Sequence, residues 1–73
     1  MNFDYDPEAD AAYLTITQSG TLPEQQISGI TTEGMEGEIE IDIDKNGKVI
    51  GIEFVKASLI LPSDFLEKLN RTS

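Results

Sequence analysis

The chain has 73 residues, of which fourteen are acidic and five are basic, and its formal net charge is −9 at pH 7. It contains no Cys and no His, which excludes disulfides and thiolate zinc sites and removes the commonest general base. This length predicts a single domain spanning residues 1–73, too small to be more than marginally stable as a monomer. Because oligomerisation is the remaining aid to stability, we expect a homodimer.

The negative charge also narrows the possible partners. It repels nucleic-acid phosphates and anionic membranes, so we expect no direct nucleic-acid binding and no membrane association. A basic protein or a cation would instead be attracted. No apolar run approaches the ~20 residues of a membrane span, and the acidic N-terminus MNFDYDPEAD does not resemble a signal peptide. These features predict a cytoplasmic protein.

Two short strands are predicted near the N-terminus. Residues 2–6 (NFDYD) and 12–17 (AYLTIT) alternate between two faces, as half-buried strands do. Between them, Pro7 fixes φ for a turn, and the side chain of Asp6 can accept a hydrogen bond from the backbone ahead of it. The two runs therefore predict a β-hairpin. Its acidic residues are interpreted as turn chemistry on a solvated loop: Asp4, Asp6, Glu8 and Asp10.

The middle and the end of the chain are less regular. Glycine and proline punctuate residues 18–37, where only 27–32 indicates a further short strand, at an edge of the sheet. Near the C-terminus, Pro62, Ser63 and Asp64 form a helix-start signal, with Ser63 as the expected N-cap. The following apolar residues fall on one helical face, which we expect to pack on the apolar face of the sheet: Phe65, Leu66 and Leu69.

The clearest element is a second hairpin formed by residues 37–44 (GEIEIDID) and 48–55 (KVIGIEFV). The dipeptide Asn46-Gly47 between them favours a two-residue type I′ turn, which needs positive φ at both positions. Such a loop places apolar residues opposite one another, whereas a shift by one residue would reverse the faces. The predicted pairs are Lys45 with Lys48, Ile43 with Ile50, Ile41 with Ile52, and Ile39 with Phe54.

The same stretch satisfies the spacing of a calcium-binding EF-hand loop. In DIDKNGKVIGIE, residues 42–53, the ligands would include Asp42, Asp44 and Glu53. However, an EF-hand needs a helix on each side of its loop, and both flanks here alternate with period two. We therefore interpret the stretch as a hairpin.

The acidic residues of this hairpin are the candidate functional residues. They project from the face opposite the isoleucines, and Glu40 falls opposite Glu53, where like charges are destabilising. A cation, a basic side chain from a partner, or water could relieve this repulsion. The candidate partner-binding residues are Glu38, Glu40, Asp42, Asp44 and Glu53.

No constellation of residues indicates catalysis. The serine hydroxyls have no histidine to activate them, and no glycine loop has the spacing that cradles phosphate. Paired carboxylates need a pocket that separates their pKa values, and a chain this small offers little concavity. We expect no enzymatic activity, no cofactor and no metal.

Two blocks of the sequence resemble a known family. They are YDPEADAAYLTI (Tyr5–Ile16) and IDIDKNGKVIGIEF (Ile41–Phe54), the second followed by Val55, Lys56, Ala57 and Ser58. In this order they are similar to the small bacterial proteins grouped as domain of unknown function 2283. The resemblance implies a fold more than an activity, although some members are encoded beside small toxin-like proteins, which suggests an antitoxin-type role.

The sequence therefore predicts an α+β fold, with an antiparallel, hairpin-based sheet of about four strands and one C-terminal helix. The leading functional hypothesis is a non-enzymatic protein-binding or regulatory module, in its most concrete form an antitoxin-like neutraliser of a basic partner. The alternative is a cation- or small-ligand-binding module that uses the acidic hairpin face. A weaker third hypothesis is a nucleic-acid mimic.

Overall fold

The computed structural model describes residues 1–17 and 22–72. It confirms the α+β class and the antiparallel sheet, but this part of the chain has five strands and two short helices rather than about four strands and one helix. Residues 18–21, in the irregular stretch 18–37, lie outside the described residues. The elements are β1 Asn2–Asp6, β2 Ala11–Thr15, β3 Gln25–Ile30, β4 Glu38–Ile43, β5 Val49–Val55, α1 Ala57–Ile60 and α2 Ser63–Thr72.

The strands form one sheet in the order β1-β2-β5-β4-β3, and every neighbouring pair is antiparallel. Both predicted hairpins are present, and the first joins the second through β2 and β5. The strand predicted at 27–32 exists as β3, two residues earlier, and lies at an edge as expected.

The sheet has two chemically different faces because directly paired residues project to the same side. We call one the apolar face; its two principal rows run from β1 to β3. The first row is Phe3, Leu14, Ile52, Ile41 and Ile27, and the second is Tyr5, Ala12, Phe54, Ile39 and Ile30. The opposite side, which we call the polar face, carries the alternate residues of the same strands.

The turn between β4 and β5 is not the predicted type I′ turn. The Gly47 amide donates to the Asp44 carbonyl at 3.0 Å, and the Asp44 amide donates to the Lys48 carbonyl at 2.9 Å. The loop therefore holds three residues, and the predicted pairing of Lys45 with Lys48 is wrong. Gly47 has a φ of 78°, whereas Asn46 does not have a positive φ. These are the features of a three-residue hairpin loop whose last residue has a left-handed backbone conformation.

One additional residue in β5 restores the expected pairing beyond the turn. Ile43 pairs with Val49 and Asp42 with Gly51, so Ile50 is extra on its strand and the predicted Ile43–Ile50 pair is wrong. Past this bulge, the predicted pairing of Ile41 with Ile52 and of Ile39 with Phe54 is confirmed. A three-residue loop without the bulge would exchange the faces of β5, which hydrophobic burial opposes.

Helix α2 lies on the apolar face, as predicted, but at the β1 end of the sheet. The Phe65 ring meets the Phe3 ring edge to face at 5.2 Å, and Phe3 stacks on Phe54 at 5.6 Å. Ala12, which lies on β2 between those strands, is completely buried, and Leu66 of α2 is also buried. A small core of aromatic rings therefore holds the helix.

The start of α2 corrects one local prediction. Ser63 is the first helical residue rather than the N-cap, because the Pro62 carbonyl accepts hydrogen bonds from the amides of Phe65 at 3.1 Å and Leu66 at 3.2 Å. Asp64 lies in the first turn as predicted. Across the described residues, no helix is long and apolar enough to cross a membrane.

Candidate functional site

The polar face brings together the two acidic groups that the sequence keeps far apart. In its cross-strand rows, Asp4 pairs with Tyr13, Tyr13 with Glu53, and Glu53 with Glu40. None of the five strands contains a Lys or Arg to balance these charges. The carboxylates of this face are Asp4 and Asp6 from β1, Glu38, Glu40 and Asp42 from β4, and Glu53 from β5.

Asp42 is buried rather than displayed to solvent, with an exposed fraction of 8%. The Tyr13 hydroxyl donates to its Oδ2 at 2.5 Å, and the Gln26 side-chain amide donates to its Oδ1 at 2.9 Å. Both oxygens therefore have a donor, as a buried carboxylate requires. These two hydrogen bonds connect Tyr13 on β2, across β5, to Asp42 on β4 and then to Gln26 on β3.

Gly51 makes the Tyr13–Asp42 contact possible. It lies on β5 between Thr15 and Asp42, and the Tyr13 ring passes over it. A Cβ at position 51 would overlap the Tyr13 hydroxyl and lie 2.5 Å from Cζ of the ring. Glycine is needed here for space. Burial, followed by the hydrogen bond to Asp42 and the charges of Asp42 and Glu53, raises the pKa of Tyr13 to about 12.

Glu40 and Glu53 pair directly across β4 and β5, as predicted. Burial is the largest cause of a raised pKa at Glu53, and the neighbouring charges of Glu40 and Asp42 raise it further. Since all three causes disfavour the anion, a positive charge placed beside Glu53 would favour its ionised form.

A shallow depression of 330 Å³ opens beside this pair. Its lining combines the acidic residues Asp4, Asp6 and Glu53 with Tyr5, Ala11, Ala12 and Tyr13, and the space is large enough for a side chain. Acidic and aromatic residues in one depression are suited to a guanidinium or ammonium group.

Asp44 does not belong to this surface. Its Oδ1 accepts hydrogen bonds from the amides of Asn46 and Lys48, each at 2.9 Å, so the side chain holds the turn. The EF-hand interpretation fails in its structural context because strands, not helices, flank the loop. Across the described residues, no group of three or more Asp, Glu, His or Cys side chains is placed to hold a metal ion.

Sequence reasoning missed Tyr13, Gln26 and Gly51. A weak signal was present, because Gly51 interrupts an otherwise apolar and β-branched run, and glycine inside a strand often marks a close approach. Tyr13 likewise lies on the polar side of its own strand. Neither signal identifies Asp42 as the partner, because that contact joins residues 29 positions apart.

A second polar cluster ties the β1–β2 turn to α1. Asp10 Oδ1 accepts hydrogen bonds from the Ser58 amide at 2.8 Å and the Tyr5 hydroxyl at 2.9 Å, and its Oδ2 accepts one from the Ser58 hydroxyl at 2.6 Å. The Asp10 carbonyl also accepts from the Ala57 amide at 2.8 Å. The hydrogen bonds from Ser58 are the main cause of the lowered pKa of Asp10.

The interpretation of the first acidic group as solvated turn chemistry therefore holds for only part of it. Asp6 does accept a turn hydrogen bond, from the Glu8 amide at 3.0 Å. Asp4 lies in the polar face opposite Tyr13, and Asp10 joins two elements 48 positions apart in the chain.

The Asp10 cluster also links the two blocks on which the family resemblance rests. Tyr5 and Asp10 belong to the first block, and Ser58 ends the second. The fold and its surfaces define a small α+β protein, with a five-stranded antiparallel sheet whose polar face is rich in carboxylates.

The chain belongs to the family described as protein of unknown function (DUF2283), whose model matches residues 2–58. The resemblance inferred from the sequence is therefore confirmed. The matched range ends at Ser58, so α2 lies beyond it. No curated protein matches the chain, and no solved structure does.

Proposed function

We propose that this chain is a non-enzymatic protein-binding module whose polar face binds a basic segment of another protein. In its most concrete form, the module is an antitoxin-like neutraliser that covers the basic surface of its partner. The observation that carries the proposal is the direct pairing of Glu40 with Glu53 beside a depression edged by further carboxylates.

A basic side chain from a partner would act on this pair in a specific way. It would relieve the repulsion between Glu40 and Glu53 and favour the ionised form of Glu53, whose pKa burial and neighbouring charges raise. The same group could sit against the Tyr13 ring in the depression. Complementary charge of this kind also speeds the encounter of the two proteins.

The five predicted site residues do not contribute equally to the proposed binding surface. Asp42 is held by Tyr13 and Gln26, and Asp44 is held by turn amides, so neither needs a partner. Glu38 lies on the polar face but pairs with Val55, without an opposing carboxylate. The proposed contacts therefore centre on Glu40 and Glu53, with Asp4 added from β1; Asp6 lines the depression but, like Asp44, accepts a turn amide.

Catalysis and cation binding find less support in the same residues. Glu53 has a raised pKa, yet it lies half-buried on a sheet face, without a histidine or cysteine anywhere in the chain to work with it. The cation hypothesis needs Asp42, Asp44 and Glu53 together, and two of these three are already engaged by other groups of the protein.

Affinity-tagged chain purified from its native host tests the proposal. We expect a basic protein to co-purify, and we expect its recovery to fall as the salt concentration rises because charge pairs are screened. The double variant Glu40→Gln/Glu53→Gln should lose the partner while keeping its circular dichroism spectrum.

The matched control is Glu24→Gln/Glu33→Gln, which makes the same change in net charge at two exposed residues outside β4 and β5. It should retain the partner. Recovery of the tagged chain only as a self-associated species, with no basic partner, would refute the proposal, as would equal loss of the partner in both double variants.

A further inference from the structure

Among the described elements, the helices cover the apolar face at one end of the sheet. Helix α2 packs on β1, and α1 packs on β2. Towards β3 the isoleucines remain accessible: Ile27 is 48% exposed, and Ile39, Ile41 and Ile43 are half-buried.

The buried core is correspondingly small. Among the described residues, the buried apolar side chains are Ala12, Ile50, Ala57 and Leu66, and no large side chain is completely buried. A sheet normally buries its apolar face against a second layer. Across the described residues, no helix packs on β3, β4 or β5 as closely as α2 packs on β1 and α1 on β2.

The dimensions of the molecule agree with a missing layer. Its accessible surface is 5132 Å², whereas a compact monomer of its mass, 8.0 kDa, has about 4,450 Å². The excess, about 700 Å², is close to the ~800 Å² that each partner buries in a standard protein interface. The Cα radius of gyration is 12.7 Å against about 11.2 Å for a compact chain of this length.

We infer that a second copy of this chain covers the apolar face over β3, β4 and β5, so that two sheets pack face to face in a symmetric dimer. The face is chemically self-complementary, because its β3–β5 part is formed by isoleucines and one phenylalanine in two rows. Rows of this kind interdigitate at the ~10 Å spacing of packed sheets.

The charge distribution is compatible with this arrangement. Every carboxylate of β4 and β5 projects from the polar face, which leaves the apolar face free of buried charge on association. A face-to-face dimer would turn both polar faces outward. Because each copy carries a net charge of −9, added salt should tighten the dimer by screening repulsion. Binding of a basic partner should show the opposite dependence on salt.

Sedimentation equilibrium over a range of concentrations tests the inference on the full chain. We expect a monomer–dimer equilibrium whose dissociation constant falls as salt rises. Ile27→Glu places a charge within the proposed contact, on an edge strand where the exposed site tolerates it in the monomer. It should raise the dissociation constant roughly tenfold or more, with the circular dichroism spectrum unchanged.

Leu59→Glu is the matched control, because Leu59 is 52% exposed but lies on α1, outside the sheet. It should dimerise like the unmodified chain. If Ile27→Glu does not fold, Ile27→Ser removes the apolar side chain without a charge and should also weaken the dimer.

A monomer at every concentration would overturn the inference, and so would a dimer that Ile27→Glu and Leu59→Glu weaken equally. Neither outcome bears on the proposed binding of a basic partner, which uses the polar face and is lost through Glu40 and Glu53. The two proposals can therefore fail separately.

Discussion

Asp42 and Tyr13 show how single residues decide the chemistry of the polar face. A buried carboxylate in so acidic a chain is tolerated because two donors reach it, and one of them depends on a glycine. Asp42 is thereby removed from the surface that a partner would meet. Within the part of the chain that the structure describes, no hydrogen-bond donor reaches Glu53, and its pKa is raised.

The raised pKa of Tyr13 predicts a distinct alkaline titration. The chain has two tyrosines and no tryptophan, so tyrosinate absorbance reports on Tyr5 and Tyr13 alone. We expect one step to extend to about pH 12 and to disappear in Tyr13→Phe. Since the folded-state pKa lies above the ordinary value of ~10, the stability that Tyr13 contributes is complete below pH ~10 and is lost as the pH rises towards 12.

Tyr13→Phe also leaves Oδ2 of Asp42 buried without its donor, which should cost about 1–3 kcal/mol of unfolding free energy at neutral pH. Tyr5→Phe is the control and should leave the Tyr13 step in place. The assignment is wrong if Tyr13→Phe keeps that step, measured at pH values where circular dichroism shows a folded chain.

The raised pKa of Glu53 predicts that replacing this residue with a neutral one will stabilise the folded chain. Because its pKa is raised, ionisation of Glu53 costs the folded state free energy, and this cost grows as pH rises through that pKa. Glu53→Gln should therefore increase the unfolding free energy at neutral pH by about 0.5 kcal/mol, and the gain should vanish in acid where Glu53 is protonated. Urea denaturation at both pH values measures this.

Glu38→Gln is the matched control on the same face, because Glu38 pairs with Val55 instead of a carboxylate. It should change stability less than Glu53→Gln. Equal gains from both substitutions would mean that net charge, rather than the Glu40–Glu53 pair, sets the effect. If the Glu53→Gln chain is stable, loss of the partner in the co-purification experiment cannot be attributed to unfolding caused by this substitution.

At the scale of elements, the β4–β5 hairpin combines a three-residue loop with one bulge. Each alone would shift the strands by one residue, and together they keep the isoleucines on one face. The predicted type I′ turn has a two-residue loop and no bulge, and it gives the same pairing of Ile41 with Ile52 and of Ile39 with Phe54. The Asn46-Gly47 signal therefore identified the hairpin but not its loop.

The observed three-residue loop and the predicted type I′ loop require different backbone conformations of Asn46, because only the type I′ loop needs a positive φ there. In the observed turn only Gly47 has a positive φ, so Gly47→Ala should cost about 1 kcal/mol, and Asn46→Ala should stay within ~0.5 kcal/mol. Thermal or urea denaturation of both variants measures the difference. A cost for Asn46→Ala as large as that for Gly47→Ala would instead indicate the two-residue type I′ turn.

At the scale of the whole molecule, the chain is a single twisted layer with a helix over one end. Its extents are 34 × 31 × 17 Å, and the thin direction is consistent with one sheet that lacks a complete second layer. The homodimer expected from chain length is proposed to form through the apolar face over β3, β4 and β5. Under both proposals, the apolar face serves self-association and the polar face serves a different partner.

The sequence by itself determined the α+β class, both hairpins, the edge strand, the helix after Pro62 and the separation of isoleucines from carboxylates. These features are local: alternation with period two and turn residues depend on neighbours within a few positions. The family also followed from short blocks of sequence.

Only the tertiary structure decided how the two hairpins join, and with this the character of the polar face. The pairing of β2 with β5 places Tyr13 over Gly51 and against Asp42, and it brings Asp4 into line with Glu53 and Glu40. It also leaves the isoleucines of β3 and β4 beyond the reach of α2. Local patterns indicate which face of an element is buried, but they do not specify which elements become neighbours, and contacts between residues far apart in the chain depend on that choice.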